Sequence, residues 1–206
     1  MFDVLIAGGG VAGVSCALIL GSGLTRAYGE GKKVGIFIHQ KASSLQNGLY
    51  NNAYGIAPGT TGQEIMQTSL EHLATAYPLV EQLPTEKVMS ITGTPGNFTV
   101  TTNKGTYQTK MFIVAIGSAN SFDIEGLMQY IEPHKKAMPE KNRIQLTNND
   151  HVVTEGIYVA GTLAGTRSQL AIAAGSGAAV GADILSLWND GKHTQSHDSV
   201  PKQATA

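Results

Sequence analysis

The sequence predicts an α/β protein built on a parallel sheet with helices on both faces and a small antiparallel β-meander. Three observations carry that prediction. The run Phe2–Ala7 is continuously apolar and breaks into a glycine turn, which opens a helix of small and apolar residues over 11–20. Further short apolar runs recur at Val34–Ile38, 111–116 and 156–160, the pattern of strands covered on both faces. An alanine-rich helical stretch over 169–188 follows the last of them. Strands alternating with helices in this way stack into a parallel sheet.

Composition supports a packed core. Apolar residues make up 42% of the 206 and charged residues only 14%, which excludes a disordered chain. A chain of this size buries roughly 70% of the surface its unfolded form exposes, so it needs no staples. The formal charge of -1 offers no broad basic field, so neither nucleic acid nor an acidic membrane surface is an expected partner. The six histidines are scattered and fit no metal-ligand spacing. The single cysteine, Cys16, excludes an internal disulfide and a CxxC pair, and its small, apolar neighbours predict a buried structural thiol. The N-terminus lacks a cationic leader, and no run reaches the ~18 apolar residues of a membrane span. A reducing cytoplasm is the expected location.

The elements follow in order. A glycine-broken, charged connection over 21–33 leads to the strand Val34–Ile38, and 41–59 reads as a loop. Thr60 or Thr61 caps a helix running to about Tyr77, since Glu64 stands at capping-box spacing from Thr61. Three short strands over 88–92, 98–102 and 106–110, with turns at Pro95-Gly96 and Lys104-Gly105, form the meander. The strand 111–116 is closed by Gly117-Ser118. A polar stretch over 118–155 shows one weak helical segment and precedes the strand 156–160 and the turn at Gly161. The last fifteen or so residues are polar and are expected to be disordered. The chain is expected to be one domain over 1–190, its halves 1–117 and 156–190 joined by 118–155, with 191–206 as a tail.

The first turn carries chemistry. Gly8-Gly9-Gly10-Val11-Ala12-Gly13 fits G-x-G-x-x-G directly after a strand and at the opening of a helix. That is the context of a Rossmann-type dinucleotide site. Gly8 permits the tight turn, Gly10 lets backbone N–H groups approach a pyrophosphate, and Gly13 lets helix and strand pack closely. The helix N-terminus at Val11 and Ala12 adds unpaired N–H donors and a partial positive charge. An acidic residue at the end of the second strand would normally bind the adenosine ribose. Here His39 and Gln40 occupy that place. Either accepts a hydrogen bond from a ribose hydroxyl without charge assistance, or His39 is an ordinary strand-end surface residue.

Four later segments identify a family resemblance. Phe112-Ile113-Val114-Ala115-Ile116-Gly117 resembles the Ala-x-Gly strand of two-dinucleotide-domain flavoproteins, and Gly156-Ile157-Tyr158-Val159-Ala160-Gly161-Thr162 resembles their late GIYAAGD strand. Gln169-Leu170-Ala171-Ile172-Ala173-Ala174-Gly175-Ser176-Gly177 resembles the following RQA…AGxG helix of thioredoxin-reductase-like proteins. The loop from Asn52 to Thr61-Gly62 is similar to their NWPG…TG segment, with Asn52 at the matching position. The resemblance to these FAD-dependent pyridine nucleotide-disulphide oxidoreductases covers most of 1–117 and 156–190. It implies bound FAD, its pyrophosphate at Gly8, Gly10 and Gly13. Ala115, Gly117, Gly161 and Thr162 would line the site, and Asn52 would lie near the flavin. Gln169 and Leu170, at a helix N-terminus, would face the pyrimidine edge, where a helix dipole stabilises the charge of a reduced flavin. Asn51, Tyr54 and Arg167 are further candidates for flavin contact.

The departures define the expected function. Thr162 replaces the late motif's aspartate, and Arg167 stands one place before the family's arginine position, which Ser168 fills. Both carboxylate contacts to the cofactor are therefore missing, and each charge-assisted hydrogen bond is worth ~1.5–3 kcal/mol. In thioredoxin reductases a nicotinamide domain with a CxxC lies between the Ala-x-Gly and GIY strands. Here that interval holds no second glycine fingerprint and no cysteine. The expected protein is an FAD flavoprotein oxidoreductase that takes electrons from an external donor. A redox partner protein or small substrate would arrive at the open flavin face, and a homodimer is left open. The alternative is a non-catalytic nucleotide-binding module with a regulatory or assembly role. No residue has a clear claim to be a catalytic base.

Overall fold

In a computed structural model of the chain, residues 1–39 and 45–194 are described. The apolar run Phe2–Ala7 forms β1, all six residues buried. Helix α1 follows over Val11–Gly23, three residues longer than expected because Gly21 and Gly23 pack against neighbours instead of breaking the helix. Val34–Ile38 is β2, and Leu49–Tyr50, inside the expected loop, forms β3, paired in a two-rung ribbon with β4 (Thr60–Thr61) just beyond the loop's end. Thr61 caps α2 (Gly62–Ala76), its hydroxyl accepting the Glu64 N–H at 3.2 Å. An unexpected strand, β5, spans Val80–Pro84. The meander is β6 (Val88–Thr94), β7 (Asn97–Thr102) and β8 (Thr106–Val114).

The two expected strands over 106–110 and 111–116 are one. The polar half of β8 pairs antiparallel with β7, and its apolar half pairs parallel with β1 on one side. The strand stops at Val114, leaving Ala115 and Ile116 beyond its end. The connection then holds β9 (Ile131–Pro133) and β10 (Ile144–Leu146), an antiparallel pair, in place of a helical segment. A single turn of 3-10 helix at Met128–Tyr130 precedes β9, and another at Pro139–Lys141 lies between β9 and β10. β11 (Val152–Thr154) turns back into β12 (Ile157–Val159), and a 3-10 turn at Gly161–Ala164 leads to α3 (Leu170–Trp188).

The main sheet runs β11-β12-β8-β1-β2-β5, with the five strands from β12 to β5 parallel. This is the Rossmann-type α/β architecture, with one difference in coverage. All three α-helices lie on one face, where Val4, Ile6, Val34, Ile36 and Ile113 meet Cys16, Leu20, Leu73, Val180, Ile184 and Leu185. The second face, expected to carry helices, is covered by the meander and the connection. Leu5, Phe37, Phe112 and Val159 pack there against Val100, Phe122, Ile124, Leu127, Ile144 and Leu146. Those apolar residues, set singly in polar sequence, let non-helical chain close the sheet.

Helices α1 and α3 are in close contact. A Cβ on Gly177 would overlap the Ala12 carbonyl, and one on Gly181 would press on Ile19. At 19 residues, α3 is long and apolar enough to cross a membrane by length and composition, contrary to expectation. Here its Val180, Ile184 and Leu185 are fully buried as part of the core. Cys16 is likewise fully buried, and that burial pushes its thiol up, well away from reactivity. Of the expected tail, residues 195–206 lie outside the described residues, while Thr194 is buried.

Candidate functional site

In an open parallel sheet, ligands bind beyond the carboxyl ends of the strands, where chain connections leave in opposite directions. β1 sits at that point, between β2 and β8. Three glycine turns converge on its end. Gly8 adopts φ +118, and a Cβ there would overlap the Ala115 carbonyl beyond β8. A Cβ on Gly13 would overlap the Gly8 carbonyl, so the turn, the helix and the β8 exit are locked together. Gly161, at φ +72, leaves only 2.8 Å between its Cβ position and that of Ala12.

Gly10 behaves differently. It caps α1 with φ -82 and ψ -175, a backbone any residue adopts, and a Cβ there would meet no protein atom within 4 Å. No side chain caps this helix end. The intrahelical ladder begins with Val14 N–H donating to Gly10 O at 2.9 Å, which leaves the N–H groups of Val11, Ala12 and Gly13 outside it. No acidic residue stands in the first turn of either α1 or α3. The cradle is therefore one of backbone donors with its mouth free, which fits a pyrophosphate. Gly117, at φ +82, likewise has open space at its Cβ position.

His39 follows β2 directly and is half-buried. Gly8 N–H donates to Phe37 O at 3.1 Å and Thr85 N–H to Ile38 O at 2.6 Å, fixing the strand end from both sides. Gln40, its proposed companion, lies outside the described residues. The second helix N-terminus is at α3, where Gln169 is the N-cap, exposed and without a side-chain cap bond, and Leu170 is half-buried. Thr162 is half-buried in the 3-10 turn Gly161–Ala164. That turn is tied to α3, because Gly161 N–H donates to the buried Ser176 hydroxyl at 2.8 Å.

The remaining candidates stand apart from this lock. Asn52 is exposed in the loop between β3 and β4, and Tyr54 is fully exposed. Asn51 closes the loop locally, its Oδ1 accepting the Gly59 N–H at 2.8 Å. Arg167 is exposed between the 3-10 turn and α3. Sequence reasoning missed the supports of the site. Ser176 stands in the sequence only as one residue of a motif, and Asn148, whose amide reaches Ala164 O at 3.3 Å, and Gln145, whose amide lies beside Gly165, fall in the polar connection. Their one signal is polar side chains flanking isolated apolar residues, which is too common to single them out.

Comparison with known proteins agrees with this geometry. The family described as pyridine nucleotide-disulphide oxidoreductase matches residues 2–161. The sequence has no significant match among curated proteins. Among solved structures, a thioredoxin reductase from Gloeobacter violaceus superimposes with a TM-score of 0.70 at 14% identity, covering 97% of this chain and 98% of that one. An oxidoreductase from Agrobacterium tumefaciens gives 0.69 at 15%, covering 89% and 98%. A ferredoxin-flavin thioredoxin reductase from Clostridium acetobutylicum gives 0.66 at 18%, covering 92% and 98%. At these identities the likeness concerns the fold.

Proposed function

The chain belongs to the pyridine nucleotide-disulphide oxidoreductase family, and from that premise we propose that it is an FAD flavoprotein oxidoreductase served by an external electron donor. The observation that carries the reading is the open cradle at Gly10. Gly8 and Gly13 are needed by the protein's own packing, whereas among the described residues no atom comes within 4 Å of a Cβ at position 10, so their packing does not call for glycine there. A ligand that approaches the backbone there supplies the requirement.

In this reading the N–H groups of Val11, Ala12 and Gly13 hold the pyrophosphate, His39 meets the adenosine ribose, and Ala115, Gly117 and Thr162 line the path between. The uncapped N-terminus of α3, at Gln169 and Leu170, faces the flavin and favours negative charge on it. Asn52 would come to the flavin from its exposed loop. The flavin supplies the redox chemistry when bound, and the chain orients it and sets the field around it. Between β8 and β12 the described residues form only the small connection, with Cys16 buried far from any disulfide role. A donor or acceptor would therefore meet the flavin directly, as a redox protein or a small substrate.

A visible absorption spectrum of the purified protein tests the proposal. Flavin bands, with FAD released on denaturation, support it. A colourless protein that added FAD does not stabilise against heat overturns it, leaving the non-catalytic module, which the missing carboxylates at His39 and Thr162 favour.

A further inference from the structure

The connection over 118–155 reaches both glycine turns that leave the sheet beside the cradle. Ile144 N–H, on β10, donates to Ser118 O at 3.1 Å, immediately after Gly117. The Asn148 amide donates to Leu146 O at 2.7 Å and to Ala164 O at 3.3 Å, so it joins β10 to the 3-10 turn that carries Thr162. Its Oδ1 accepts the His151 N–H at 3.2 Å, and the His151 ring Nδ1 lies 2.9 Å from Val159 O at the end of β12. Asn148 is thus held from both directions.

Gln145 makes the second contact. It is buried, its Oε1 accepting the Lys135 N–H at 3.0 Å and its Nε2 donating to Glu132 at 2.8 Å. Lys135 pairs with Glu132 at 2.8 Å, and this ammonium, with the Gln145 amide, outweighs burial and holds the Glu132 carboxyl below its ordinary range. So fixed, the Gln145 amide fills the space beside Gly165, where a Cβ would stand 2.6 Å from its Oε1. Gly165 takes φ +82 and ends the 3-10 turn there.

We propose that the connection is a brace for the dinucleotide site, and that Asn148 and Gln145 are positioning residues that hold the 161–165 turn in its binding geometry. The inference rests on the dinucleotide reading only for its ligand; the brace itself is a property of the chain. From α3 the turn is held by the Ser176 hydroxyl on Gly161. Leu163, fully buried, anchors the middle of the turn in the core, and among the described residues the side-chain hydrogen bond to its far end, at Ala164, comes from the connection. A turn end freed of that bond samples more conformations, and a ligand must then order it.

The test uses the full chain with Asn148→Ala and Asn148→Asp, the latter keeping the acceptor for His151 while losing the donor to both Leu146 and Ala164. Backbone hydrogen exchange without added nucleotide is compared at residues 161–165 and at β1. The expected result is roughly tenfold faster exchange in the turn, β1 being unchanged, together with several-fold weaker FAD binding. Turn amides that exchange at the wild-type rate in both variants overturn the proposal, as does unchanged FAD affinity in a protein that binds FAD. Should the wild-type chain bind no FAD, the flavin reading fails and the exchange comparison alone decides the brace.

Discussion

The Gly161 N–H donates to the buried Ser176 hydroxyl at 2.8 Å, joining the exit of the last sheet strand to the middle of the core helix. Ser176→Ala leaves a buried donor unpaired, a loss of about 1–3 kcal/mol. Chemical denaturation should show that loss. Wild-type stability would mean the 3-10 turn at Gly161 is held by other contacts.

The three fingerprint glycines should separate by role. Gly8→Ala and Gly13→Ala force a Cβ into the Ala115 and Gly8 carbonyls and should destabilise the protein by at least ~2 kcal/mol. Gly10→Ala meets no protein atom, so its cost should stay within about 1 kcal/mol. Its effect should fall on FAD affinity, measured by flavin fluorescence quenching. A Gly10→Ala protein that binds FAD as tightly as wild type would remove the main support for a pyrophosphate cradle.

Restoring the missing charges should strengthen binding. His39→Glu places a carboxylate at the end of β2, and Thr162→Asp places one in the 3-10 turn. A charge-assisted hydrogen bond to a cofactor hydroxyl is worth ~1.5–3 kcal/mol, so either change should tighten FAD roughly tenfold. Weaker or unchanged affinity in both would argue against placing His39 at the adenosine ribose and Thr162 along the cofactor.

NADPH alone should reduce the bound flavin slowly or not at all. No separate nicotinamide lobe stands between β8 and β12 among the described residues. Stopped-flow bleaching of the flavin bands measures this directly, and rapid stoichiometric reduction would contradict the need for an external donor.

Acid sensitivity should trace in part to Asp3. Burial raises its carboxyl, but the hydrogen bonds from Lys110 and the Lys33 N–H, with the charges of Lys110 and Lys32, outweigh it and hold the group below its ordinary 3.8. A lowered carboxyl stabilises the fold fully above that ordinary value, and the contribution drains away as pH falls through the folded-state value. Asp3→Asn should cost about 1 kcal/mol at neutral pH, discounted because Lys110 is half exposed. The gap between variant and wild type should close as pH falls below 3.8. A gap independent of pH would assign the effect to packing.

Legibility followed burial. β1 and β2 were readable to the residue, because central parallel strands are apolar on both faces and end in sharp breaks. β5, at the sheet edge, alternates exposed Glu81 with half-buried Gln82 and ends in Pro84, so it lacks that signature. β8 looked like two strands because its composition changes where its partners change, from β7 to the core. The connection was hardest to read, since its core residues fall in two groups too short to establish a period, Phe122, Ile124 and Leu127, then Ile144 and Leu146, with polar chain between. At the site the glycines were legible because their need is steric and local. Asn148 and Gln145 were not, because their role depends on which distant turn the folded chain brings beside them.

The seating of Gly177 against the Ala12 carbonyl also sets a schedule. The apolar face of α1 is translated early and its cover on α3 comes only after the whole sheet has been made. Cys16 and Leu20 can pack against Val4, Ile6, Val34 and Ile36 as soon as β2 is made, whereas the Ala12 side of α1 must wait for Gly177, so a chain cut short before α3 should keep that side of α1 exposed and be prone to self-association.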